Sequence, residues 1–84
     1  MMNLKTRADA TLSVLNKAIK DDNKELKLFK IAGDTQWSNN WNLLLINNNN
    51  KNMSIKIFTK ISDAYHYINN NIDTIYNLTR KDNA

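Results

Sequence analysis

A chain of 84 residues with 12 Lys and Arg against 8 Asp and Glu carries a formal net charge of +4, and it holds no Cys, no Pro and a single His. This composition excludes disulfides and thiolate metal sites, and His66 alone cannot build an imidazole site. One small domain is expected over residues 1–84, ordered from about residue 4 to 80 with a fraying tail, around an aliphatic core.

The charge tilts the partner mildly toward something acidic. Lys supplies most of it, and the two Arg, Arg7 and Arg80, are too few for bidentate base reading. Sixteen residues are Asn. With abundant Lys and Ile, this reads as AT-rich codon bias filling tolerant surface positions. The N-terminal stretch is interrupted by Lys5, Arg7 and Asp9, and no long apolar run follows. No membrane partner and a cytoplasmic location are therefore expected.

The first predicted element is an amphipathic helix over Leu4–Lys20. Leu4, Ala8, Leu12, Leu15 and Ile19 form its apolar stripe and Asn3 its N-terminal cap. Asp21, Asp22 and Asn23 end it, and this acidic pair reads as a turn rather than a metal site. Residues 25–32 read as a strand with a bulge near Phe29, because Phe29 and Ile31 fall on the Lys27 side of the alternation. The rival reading extends the helix to Gly33 as its cap.

Trp41–Asn47 reads as a central strand, Asn47–Asn52 as a hairpin connection, and Met53–Lys60 as an alternating strand. Ser62 is expected to cap a last helix running to about Arg80, with Ala64, Tyr65, Ile68, Ile72, Ile75 and Thr79 on its buried stripe. The fold class that follows is α+β: a helix, a three-stranded antiparallel meander and a helix, with both helices on one sheet face.

Three surfaces are candidates for function. If the helices cover Leu43, Leu45, Ile55 and Ile57, strict alternation leaves Leu44, Ile46, Lys56 and Phe58 on the opposite face. Trp37 in the preceding loop adds an exposed anchor. These five form the expected partner-binding set, for a host protein or nucleoprotein or for a homodimer; the rival reading folds the Trp37 loop over the patch as a second small core. Lys27, Lys30, Lys51, Lys56 and Lys60 form the expected nucleic-acid-binding set, for RNA phosphates. His66 lies near Asp63, but no Ser or Cys nucleophile accompanies it. A half-exposed helix position explains it, so no catalytic residue, metal or cofactor is expected and the chain is not read as an enzyme.

The order of elements is similar to that of the double-stranded-RNA-binding domain. That family reads RNA through its first helix, the loop between its first two strands and a basic cluster opening its last helix. Here the corresponding segment is Ser62-Asp63-Ala64-Tyr65-His66, so the family's RNA residues do not carry over. In size and character the chain also resembles small phage-encoded host-takeover or anti-defence proteins. Known classes of these inhibit CRISPR nucleases, toxin nucleases or host polymerases by binding the protein, its RNA or both. That resemblance implies a stoichiometric inhibitor or adaptor.

Overall fold

The computed structural model describes residues 3–33, 36 and 38–80. Helix α1 spans Leu4–Ile19 and closes in a 3-10 turn over Lys20–Asp22. Strands β1 (Lys24–Lys30), β2 (Trp41–Asn47) and β3 (Met53–Phe58) follow, then helices α2 (Ile61–Asn70) and α3 (Ile72–Thr79). The strands form one antiparallel sheet in the order β1-β2-β3. The helices pack on one of its faces, as the apolar patterning requires. Trp37, Lys81 and the terminal tail lie outside the described residues.

Local chemistry explains where α1 starts and stops. The Thr6 N–H donates to Asn3 Oδ1 at 2.8 Å, satisfying one of the orphan donors of the first turn. Asn23 then adopts φ 59°, a left-handed conformation that Asn tolerates better than most residues. The chain reverses there into β1, which is a strand and not an extension of α1.

Expectations about both strand pairings need correction. The β1–β2 register runs unbroken from Lys24↔Asn47 to Lys30↔Trp41, so there is no bulge near Phe29. The irregularity lies instead between β2 and β3: Leu43 faces Lys56 but Leu44 faces Ser54, leaving Ile55 as the extra residue. An extra residue inverts the alternation beyond it. Met53 and Ile55 pack against the core as expected, yet further along Phe58 turns inward and Ile57 outward.

The last helix also departs from the pattern. It begins at Ile61, after Lys60 in an extended conformation, so Ser62 lies inside the first turn and does not cap it. At Asn71 (φ −132°, ψ 36°) the helix breaks, and the Asn71 side-chain amide donates to the Tyr67 carbonyl at 3.0 Å. The α3 segment resumes with Ile75 N–H on the Asn71 carbonyl. Ala64, Ile68, Ile75 and Thr79 keep their buried places, whereas Ile72, beside the break, is 42% exposed.

The core joins Ala8, Leu15 and Ile19 of α1, Leu26, Leu43, Leu45 and Phe58 of the sheet, and Ala64, Ile68 and Ile75 of α2 and α3. Its composition, aliphatic apart from Phe58, is what a domain without disulfides must rely on. Polar ties fix its borders. Thr11 Oγ1 donates to Asn69 Oδ1, and the Asn69 amide donates to the Leu4 carbonyl, joining α1 to α2. Lys24 Nζ donates to the Thr79 carbonyl at 2.7 Å, fastening the end of α3 to the start of β1.

Candidate docking face

The sheet has one face under the helices and one face without them. Register and alternation place Glu25, Lys27 and Phe29 of β1, Asn42, Leu44 and Ile46 of β2, and Ser54 and Ile57 of β3 on the uncovered side. Phe29, Leu44, Ile46 and Ile57 are each half-buried and stand outside the core cluster. Three rows cross this face: Phe29–Asn42–Ile57, Lys27–Leu44–Ser54 and Glu25–Ile46. Ser54 Oγ donates to Asn42 Oδ1 at 2.5 Å, which holds the polar side chains of two adjacent rows together.

The expected partner-binding residues divide accordingly. Leu44 and Ile46 lie at the centre of the open face. Phe58 does not: it is 6% exposed, and its ring meets that of Tyr67 at a centroid distance of 5.5 Å. Lys56 also lies on the helix side, with Nζ 4.9 Å from the Tyr67 ring centroid and 5.8 Å from that of Phe58. The extra residue Ile55 moved both. Trp37 lies outside the described residues. Phe29 and Ile57 were missing from the expected set. Phe29 carried a readable signal, since an uninterrupted β1 places it beside Lys27.

The expected nucleic-acid-binding lysines are not brought together. Lys27 stands on the open face of β1, and Lys30 alternates to the other side. Lys51 lies in the β2–β3 turn, and Lys56 and Lys60 lie on or just beyond β3, at the opposite edge of the sheet. A different group, Lys17, Lys20 and Lys24, lines a shallow groove with Ser13, Asn16 and Glu25. That groove sits at the C-terminal end of α1, where the helix dipole and Glu25 both oppose an anion.

The edge next to the open face is closed in an unusual way. Asn16 of α1 reaches β1, where its Nδ2 donates to the Leu26 carbonyl at 3.1 Å and its Oδ1 accepts from the Leu26 N–H at 2.6 Å. One side-chain amide thus takes the place of a neighbouring strand at that residue, a form of edge protection. The β2–β3 turn is likewise built by Asn side chains. Asn47 N–H donates to Asn52 Oδ1, Asn49 N–H to Asn47 Oδ1, and Asn49 Nδ2 to the Asp22 carbonyl.

On the helix side, the exposed Val14 and Ile72 line a shallow apolar groove with Ala10 and Thr11. Among the described residues no three His, Asp or Glu side chains gather as a metal site, and no helix is long and apolar enough to cross a membrane. No family model, curated protein or solved structure matches the chain.

Proposed function

We propose that this protein is a non-enzymatic binding module of the cytoplasm that docks a partner protein through the open sheet face. It would act stoichiometrically as an inhibitor or adaptor of a host protein or nucleoprotein. The observation that carries this reading is the cluster Phe29, Leu44, Ile46 and Ile57 on a face that takes no part in the core. Apolar groups gathered on one exposed surface favour contact with another apolar surface. A use of the lysines on RNA phosphates has less support, because the register separates them between two edges and two faces.

Affinity capture from the encoding cells, with and without nuclease treatment, tests the reading. Proteins retained by the wild type should be lost with Leu44→Asp, a variant whose far-UV circular dichroism should match the wild type. If Leu44→Asp retains the same proteins, the open face is not the docking surface. If nuclease releases them, RNA bridges the contact.

A further inference from the structure

We infer that the occupant of the open face is a second copy of this chain, stacked sheet on sheet about a two-fold axis that runs along β2. The inference rests on the reading of the open face as a protein-docking surface and places a second copy there instead of a host protein.

Two of the three rows on this face have a symmetric pattern. Phe29–Asn42–Ile57 reads apolar, polar, apolar, and Lys27–Leu44–Ser54 reads polar, apolar, polar. Both are palindromic in polarity about β2. A two-fold rotation about the direction of β2 exchanges β1 with β3 at constant height along the strands. It therefore lays Phe29 over Ile57 of the second copy, Ile57 over Phe29, and Leu44 and Ile46 over their own equivalents. Lys27 meets the neutral Ser54 in both directions, so no like charges are opposed. An isologous dimer requires this kind of self-complementarity.

The charge distribution agrees. The whole chain carries +4, whereas alternation assigns this face one cation, Lys27, and one anion, Glu25, which stands at its edge beside the α1 groove. The face is thus a neutral surface on a basic protein, suited to another neutral apolar surface rather than to phosphates. Two sheets stacked about 10 Å apart, with strands nearly aligned, would bury both faces between two outer helical layers.

The size of the face sets the strength. Three strands of about seven residues cover roughly 14 Å by 23 Å, a footprint well under the roughly 800 Å² per partner of a standard complex. The dimer is therefore weak and concentration-dependent. Added salt should strengthen it, because screening relieves repulsion between two +4 bodies; phosphate binding would weaken instead.

Sedimentation of the full chain over micromolar to millimolar concentration tests this, with circular dichroism as the check on folding. The wild type should dimerise. Leu44→Lys and Leu44→Glu should each weaken self-association by more than about tenfold, since each sets like charges together at the axis. An equimolar mixture of the two should restore association as a heterodimer. The double variant Phe29→Lys with Ile57→Glu, which pairs opposite charges across the axis, should associate more tightly than either single variant. A wild type that stays monomeric at millimolar concentration overturns the inference, as does a mixture that fails to associate. A photo-crosslinking residue at position 44 separates the two readings in the encoding cells. An adduct of twice the chain mass supports the second copy. An adduct with a different protein alone overturns it and leaves the docking reading standing, and no adduct at all removes both.

Discussion

The two faces of the sheet are made from similar residues, yet they do different work. Under the helices, Leu26, Leu43, Leu45 and Phe58 are buried in one cluster with six helical side chains. On the other side, Phe29, Leu44, Ile46 and Ile57 are half-buried and stand outside that cluster. Hydrophobic residues alone therefore do not identify the core of a small α+β domain; what decides is which face the helices can reach. The neighbours Ile57 and Phe58 show this most directly. Both are large and apolar, and one position along the strand separates a core residue from a surface one.

That pair offers the strongest test. Phe58→Ala should cost about 3–5 kcal/mol, the usual penalty for emptying a buried aromatic site. Ile57→Ala should cost about 1 kcal/mol or less, because little packing is lost. Urea denaturation of both variants measures the difference, under conditions where the chain is monomeric. Equal losses would break the distinction between the faces. Phe58→Asp should fail to fold, because it puts a charge into the core without a partner.

The edge of the covered layer supplies the next effect. Asn16→Ala removes both hydrogen bonds to Leu26 and should cost about 1–3 kcal/mol. If the melting temperature is unchanged, the Asn16 amide does not contribute to the edge. Asn3→Ala, which removes only the cap of α1, should cost about 1 kcal/mol and serves as a reference for a single local bond.

The smallest effect is expected far from either face. The hydrogen bond from Lys5 to Asp9 at 3.0 Å, and then the charge of Asp9, raise the Lys5 pKa above its ordinary value. Any stability from this pair is present in full below the ordinary lysine range and is lost as pH rises through the raised value. Both groups are exposed, so Asp9→Asn should leave thermal midpoints at neutral pH unchanged within error.

Much of the architecture was legible from simple rules. The stripe of α1, its Asn3 cap, the three strands and the placement of helices on one face all follow from periodicity and turn chemistry. The failures share a cause. Periodicity assumes one residue per step, so the extra residue Ile55 exchanged the positions of Phe58 and Ile57 without leaving a mark in the pattern. The same assumption carried the helical stripe through Asn71, because Ile68, Ile72 and Ile75 keep helical spacing across the break. The opposite error occurred in β1, where a bulge was invoked to bring Phe29 back to the covered face. Taken literally, the alternation already placed Phe29 where it lies. Asn composition misled in another way. Read as surface filler, Asn carries no expectation of where its side chains bond, yet Asn16 and Asn69 bond to distant backbone, Asn47 and Asn52 build the β2–β3 turn, and Asn71 bonds back to Tyr67 where the helix breaks.

The Asn16 amide also couples two elements in time. Backbone amides on an edge strand ordinarily exchange with solvent as the strand frays. The Leu26 N–H is held instead by a side chain rooted in α1, ten residues earlier in the chain. Its deuterium exchange should therefore follow the lifting of α1 from the sheet. With Asn16→Ala it should fall to the faster rate of a bare edge, which makes one amide a reporter for the opening of a whole helix.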